Sequence, residues 1–176
     1  MEVIGETSNG LETVALAESL DPDVILMDVI MPQMNGVEAT RQIAVRQPHI
    51  RILVLTSFAA DDQVLPAIKA GAHGCLLKDS SPADLVQAIR RVQQGEVFLP
   101  PFITLQIIQE LSAVVSQNGS HLTLTEHELN VLLLVVQGLN VQDIVTLLPM
   151  DAQTVRVHMR HALEKFHHTH RCQVTP

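Results

Sequence analysis

Along the first hundred residues, short runs of apolar β-formers alternate with segments in which apolar residues recur every three or four positions. Val24-Ile25-Leu26-Met27, Ile52-Leu53-Val54-Leu55 and Cys75-Leu76-Leu77 have no polar alternation, the pattern of parallel strands covered on both faces. Met1-Glu2-Val3-Ile4-Gly5 predicts a further short strand at the start. Between them, Asn9 is placed to cap a helix through Leu11, Val14, Ala15 and Leu20. Asn35, with Glu38 at the third helical position, caps one whose inner face is Val37, Ala39, Ile43 and Ala44. Asp61-Asp62 opens a helix that tolerates Pro66 in its early turns, and Ser81-Pro82-Ala83-Asp84 starts one that closes at Gly95. This alternation predicts an α/β fold, a parallel sheet with helices on both faces, over residues 1–98.

After Pro100-Pro101 the strand period disappears. Ile103, Leu105, Ile107, Ile108, Leu111, Val114 and Val115 form one stripe of a linker helix within residues 99–121, ending in Ser116-Gln117-Asn118-Gly119-Ser120. Residues 122–176 then read as a small all-α domain. Thr125 and Glu128 form a capping box for a helix running to Gln137-Gly138. A second helix covers about Val141 to Leu148, Pro149 lies in a turn, and Asp151 caps a third. In the third, Val155, Met159, Ala162, Leu163 and Phe166 make an apolar stripe. Gln153, Val157, Arg160, His161 and Glu164 lie opposite, with Arg156 on the flank.

Charge separates the two parts. Of a net charge of −8 over 176 residues, the first hundred carry thirteen acids against seven Lys and Arg. Residues 121–176 are nearly neutral and hold seven of the nine histidines. Nucleic acid is therefore expected only at the last part. Cys75 and Cys172 make no disulfide framework, no run of about 18 apolar residues spans a membrane, and Met1-Glu2 opens no signal peptide. The expectation is a cytoplasmic, reduced protein.

Three predicted strands end on Asp28, Thr56 and Lys78. Right-handed crossovers bring those ends to one rim of the sheet, so a carboxylate, a hydroxyl and an ammonium converge. Together they describe a phosphoryl-acceptor site: the carboxylate attacks phosphorus, the ammonium neutralises a phosphoryl oxygen, and the hydroxyl donates to another. In the last domain, a helix with Arg and one exposed Val on its outer face suits a DNA major groove, where Arg reads guanine and Val touches a thymine methyl.

The segments Gly5 to Gly10, Asp23 to Gly36, Leu53-Val54-Leu55-Thr56-Ser57 and Ala70-Gly71-Ala72 to Asp79 resemble the receiver domain of two-component response regulators, specifically the NarL/FixJ group. Leu55-Thr56-Ser57-Phe58 and Val37 to Arg41 look most like regulators of cell-envelope stress in Gram-positive bacteria. The resemblance implies a flavodoxin-like (CheY-like) sheet, Asp28 as phosphoacceptor, Thr56 as switch residue, Lys78 as phosphate contact, and magnesium at Asp28 and the Ile30 carbonyl. Cys75 stands where the family usually has a switch aromatic. The family's first strand and helix, with its magnesium-holding acidic pair, have no counterpart here. Magnesium is accordingly expected to bind weakly or not at all, and the chain is expected to be the downstream part of a longer reading frame.

Leu124-Thr125, Glu128, Gln137-Gly138-Leu139, Ile144, Thr154-Val155-Arg156-Val157-His158, Leu163 and Lys165 resemble the LuxR-type helix-turn-helix. Thr154, Arg156, Val157 and Arg160 then inherit the DNA-contact role, beside Gln153 and His161 on the same face. A fourth helix, commonly the dimer contact, should run into Pro176. The implied partners are a sensor histidine kinase, double-stranded DNA, and a second copy or a related regulator. The expectation is thus a phosphorylation-responsive transcriptional regulator rather than an enzyme, with a truncated interaction or decoy protein, or a phosphorylation-independent DNA binder, as the alternative. A haloacid-dehalogenase reading fails because Ile30 stands where a second Asp is needed. A metal site from His158, His161, His167, His168 and His170 is outweighed by solvated imidazoles.

Overall fold

The register of three strands organises the first part of the chain. In the computed structural model, which describes residues 1–57, 62–118 and 124–171, β1 (Val24–Asp28), β2 (Arg51–Thr56) and β3 (Gly74–Leu77) form a parallel sheet in that order. Leu26 pairs with Leu53 and Asp28 with Leu55, while Thr56 pairs with Leu77. The chain divides into two compact units, Met1–Phe98 and Leu99–Pro176.

In the first unit α2 (Gly36–Arg46) and α3 (Val64–Ala70) are the crossovers β1-to-β2 and β2-to-β3, so right-handedness places both on one face. Met27, Val54 and Cys75 point that way and are buried. On the opposite face α4 (Pro82–Gln93) packs Ala88 and Val92 on Leu53 and Leu76. The caps are as expected: Asn9 on α1 (Gly10–Leu20), Asn35 on α2 and Ser81 on α4 each accept a backbone N–H.

Four expectations are corrected in this unit. Residues 1–7 are not a strand, and Val3 is 83% exposed. No described strand lies beside them, so their backbone has no ladder to join. Strand β1 is not covered on both faces: Leu26, on the α4 face beside fully buried Leu53, is 41% exposed because α4 centres on β2 and packs its apolar cluster on Leu53 and Leu76. The inner face of α1 is Gly10, Thr13, Val14 and Ala17, whereas Leu11 and Leu20 are exposed. Helix α3 starts at Val64 with Gln63 as its N-cap; the Asp61 that was expected to open it lies outside the described residues.

The second unit contains α5 (Pro101–Asn118), α6 (Glu126–Val136), α7 (Val141–Leu147) and α8 (Ala152–Arg171). The stripe on α5 docks within this unit: Ile108 forms a cluster with Leu132 of α6 and Ala162 of α8. A second cluster joins Val131, Val141, Ile144 and Val155 across α6, α7 and α8. Helix α8 continues to Arg171, so no separate fourth helix exists among the described residues. No Gly, Pro or Asn interrupts residues 152–171. Residues Cys172 to Pro176, where the fourth helix was expected to continue, lie outside the description. Two of the histidines expected to be solvated are not: His167 is buried, and His170 packs edge-on against Phe166 with Nε2 3.0 Å from Glu110 Oε2 on α5. His161 and His168 are exposed.

Candidate functional site

Asp28 closes β1 with its carboxylate held on two sides. Oδ1 accepts the N–H of Ile30 at 3.1 Å, and Oδ2 accepts from Nζ of Lys78 at 2.7 Å. Lys78 follows β3, which is separated from β1 by β2, about 10 Å at two strand spacings. Its side chain crosses the end of β2 to make the bond. Both side chains are about two-fifths exposed (41% and 36%), so the pair contributes only roughly 0–1 kcal/mol to stability. Its meaning is chemical: an ammonium lies against a carboxylate that solvent can reach.

Thr56 ends β2 and is buried. The register puts it one residue past Leu55, the neighbour of Asp28, and strand alternation turns its side chain to the α2–α3 face. The N–H of Lys78 donates to the Thr56 carbonyl at 2.8 Å, which fixes where the Lys78 side chain begins. The structure thus joins Asp28 and Lys78 directly and sets Thr56 at the intervening strand end. Cys75 is not at the rim: it lies inside β3 beside Val54, buried, its N–H donating to Phe98 O at 2.8 Å.

The loop after Asp28 folds back on the strand it leaves. Gly36 N–H donates to Val29 O at 2.9 Å, and a Cβ on Gly36 would stand 2.0 Å from the Asp28 carbonyl oxygen. Only glycine fits there. Of the two magnesium donors expected from the sequence, the Asp28 carboxylate already accepts two hydrogen bonds; the other is the Ile30 carbonyl. No three His, Cys, Asp or Glu side chains cluster to hold a metal among the described residues. Magnesium is commonly held by one or two carboxylates with phosphate oxygens and waters, and Asp28 with the Ile30 carbonyl would be a sparse protein share of such a site.

The second candidate surface is α8. Asp151 caps it by accepting Thr154 N–H at 2.7 Å, and that backbone hydrogen bond, the largest influence, holds its carboxyl below the ordinary value. Val155, Ala162, Leu163 and Phe166 are buried, while Gln153 and His161 are exposed and Thr154, Arg156, Val157 and Arg160 are partly exposed. Arg160 Nε lies 3.9 Å from Glu164 Oε1, a surface pair that a better partner displaces at little cost.

Glu128 anchors this helix from α6. It is buried, and one oxygen accepts both Thr125 N–H and Lys165 Nζ at 2.7 Å. Burial pushes its carboxyl up, but the hydrogen bonds from Lys165 and Thr125 and the Lys165 charge prevail and hold it below the usual value.

Two family models match the chain: the response regulator receiver domain over residues 1–90, and the bacterial regulatory proteins of the luxR family over residues 122–176. The transcriptional regulatory protein LiaR of Bacillus subtilis is 40% identical over 173 residues, 98% of this chain and 82% of that protein. The chain belongs to the two-component response regulators. It is a DNA-binding member of the NarL/FixJ group, with a CheY-like receiver and a LuxR-type helix-turn-helix. The response regulator protein VraR of Staphylococcus aureus is 36% identical over 165 residues, covering 94% of this chain and 78% of that one. Among solved structures, a LuxR-family two-component response regulator from Aurantimonas sp. SI85-9A1 is 36% identical with a TM-score of 0.54, over 61% of this chain and 77% of that one.

Sequence reasoning reached the carboxylate, the ammonium and the outer face of α8. It missed the Lys165 partner of Glu128, 37 residues away, for which no local pattern exists. It also missed the close approach of Gly36 to Asp28, although a glycine eight residues after the strand-end acid was the available signal.

Proposed function

We propose that Asp28 is the residue on which this regulator takes its phosphoryl group, and that the exposed face of α8 reads DNA. The direct contact of Lys78 Nζ with Asp28 Oδ2, between residues fifty positions apart, carries the reading. An Asp28 oxygen attacks the phosphorus of a phosphohistidine on the sensor kinase. The P–N bond breaks, its electron pair returns to the imidazole, and an acyl phosphate forms on Asp28. Lys78 then neutralises a phosphoryl oxygen, Ile30 N–H donates to another, and the Thr56 hydroxyl turns toward the new group as the switch. Buried Cys75 replaces the bulky switch partner, so coupling from Thr56 passes through a smaller side chain. Magnesium held only by Asp28 and Ile30 binds weakly.

The domain limits in this reading are a receiver over residues 1–98, a connecting helix within 99–121 and the DNA-binding domain over 122–176. The partners are a sensor histidine kinase, double-stranded DNA, and a second copy or a related regulator. The place of action is the cytoplasm; no helix of the described residues is long and apolar enough to cross a membrane.

Incubation with labelled acetyl phosphate and magnesium, followed by mapping of the label, tests the acceptor. Label is expected on Asp28 and lost in Asp28→Asn. Undiminished labelling of that variant, or none in the wild type, defeats the proposal.

For α8, Arg160 and Val157 are assigned to base edges and Arg156 to phosphate. Arg160→Ala is expected to cost about 1–3 kcal/mol and relax sequence preference, whereas Arg156→Ala weakens all sequences alike and flattens the salt slope by about one unit. Salt-dependent binding to operator and random duplexes distinguishes the two; equal losses on both duplexes for both variants refute the division.

A further inference from the structure

We infer that Gly10, the first residue of α1, is a positioning residue for Asp28, setting the height of the loop that carries the carboxylate's backbone donor. The inference rests on the assignment of Asp28 as acceptor. Gly10 N–H, one of the donors a helix start leaves unpaired, donates to Met34 O at 3.1 Å. A Cβ on Gly10 would meet that same oxygen at 2.5 Å and Met34 Cγ and Cβ at 2.9 and 3.0 Å. The helix start thus touches the acceptor loop backbone to backbone.

Neither side of this contact has room to retreat. Behind Gly10, buried Asn9 caps α1, and its carbonyl accepts from both Thr13 N–H at 3.1 Å and Thr13 Oγ1 at 2.8 Å. Thr13 Oγ1 is also 2.7 Å from Thr7 Oγ1. Beyond Met34, its N–H donates to Pro32 O at 2.7 Å, and Gly36 is lodged against the Asp28 carbonyl. Gln33 between them has φ 63, a left-handed value that a side-chain-bearing residue keeps only where its surroundings enforce it.

Residues 29–35 are therefore held between the starts of α1 and α2. Ile30, which donates to Asp28 Oδ1, lies within that span. Any atom added at position 10 pushes on Met34 O, and the push passes along the loop to the hydrogen bond that orients the reacting carboxylate. A misplacement of about 1 Å costs on the order of 10²-fold in rate, so a shift of a few tenths of an ångström is expected to cost roughly tenfold.

Gly10→Ala is compared in the full chain with Thr13→Val, which removes the Thr13 hydroxyl hydrogen bonds from the same corner while replacing one heavy atom by another of similar size. Two readouts are taken: backbone amide resonances of Ile30, Met34 and Gly36, and labelling of Asp28 by acetyl phosphate resolved into maximal rate and apparent KM. Gly10→Ala is expected to move the Ile30 and Met34 resonances and to lower the maximal rate about tenfold with KM nearly unchanged. Thr13→Val is expected to lower thermal stability and change neither readout. Adding Met34→Ala to Gly10→Ala is expected to restore nothing, because the obstacle is the carbonyl and not the side chain.

Unmoved Ile30 and Met34 resonances in Gly10→Ala, equal effects in Thr13→Val, or recovery in the double variant each overturn the inference. If the wild type takes no label, the acceptor assignment fails by itself. The amide resonances then decide the positioning: movement at Ile30 in Gly10→Ala and not in Thr13→Val upholds it, and no movement overturns it.

Discussion

Replacing Gly36 by alanine is expected to destabilise the receiver by about 3 kcal/mol, the upper end of ordinary overpacking, because the added atom meets backbone. The new Cβ would lie 2.0 Å from the Asp28 carbonyl oxygen and 2.9 Å from its carbon. A clash with a side-chain tip is relieved by a rotamer change; this one requires β1 or α2 to move. Since Gly36 N–H also holds Val29 O, movement of α2 breaks that hydrogen bond, and movement of β1 displaces Asp28 from Lys78. Loss of stability and slower labelling of Asp28 should appear together. Gly138→Ala is the contrast: nothing lies within 4 Å of the added atom, and only its φ of +84° opposes a side chain, a cost of roughly 1–2 kcal/mol in the second unit. The chain has no Trp or Tyr, so urea unfolding followed through resolved amide resonances of each unit is the suitable measurement. A Gly36→Ala variant within about 0.5 kcal/mol of wild type would show that the close approach is not rigid.

Glu128→Ala is expected to cost the second unit about 4 kcal/mol, from two losses on one side chain. The capping box of α6 contributes about 1 kcal/mol. Lys165 loses its carboxylate; breaking a buried pair from one side costs about 3–5 kcal/mol, taken at the low end because the Lys165 side chain is 24% exposed. Glu128→Gln retains the cap acceptor and should lose less. The pH dependence has a definite sign. A carboxyl held below its unfolded-state value contributes stability that is complete above the ordinary carboxylate range and is lost as pH falls through the folded value. Wild type should therefore weaken on acidification more steeply than Glu128→Gln. Unfolding midpoints of the second unit from neutral pH down to about pH 3 provide the check. Parallel curves for the two proteins would remove Glu128 as the source.

The legible parts of this chain were those whose cause is local. Asn35 with Glu38, Ser81 with Pro82, and Thr125 with Glu128 announce helix starts within four residues, and each cap forms as read. The strand ends at Asp28 and Lys78 were legible for a topological reason: parallel strands joined by right-handed crossovers must end on one rim. What remained hidden depends on neighbours distant in sequence. Val3 and Ile4 have the composition of a strand, but composition supplies no pairing partner. Leu26 and Leu53 read alike, yet Leu26 is on an edge strand and Leu53 lies beneath α4. His167 and His170 look like surface residues by type, and are drawn inward because α8 runs on unbroken beside α5. The pairing of Glu128 with Lys165 shows the same limit, since capping alone is a sufficient reason for Glu128 at that position.

The unbroken length of α8 makes it one rigid rod held at two places. Val155 fixes its first half against α6 and α7, and Ala162, Lys165 and His170 fix its second half against α5 and α6, while Gln153, Thr154, Arg156 and Val157 flank Val155. Ten residues at about 1.5 Å each put Val155 roughly 15 Å from Lys165, so a shift of about 1 Å at Lys165 tilts the helix about Val155 by about 4° and turns the residues proposed to read DNA. A bidentate guanidinium contact to a base edge tolerates little more than that. Substitutions around Lys165 and His170 that never approach DNA should therefore blur discrimination between operators before they abolish binding, because phosphate contacts survive a small swing that base contacts do not.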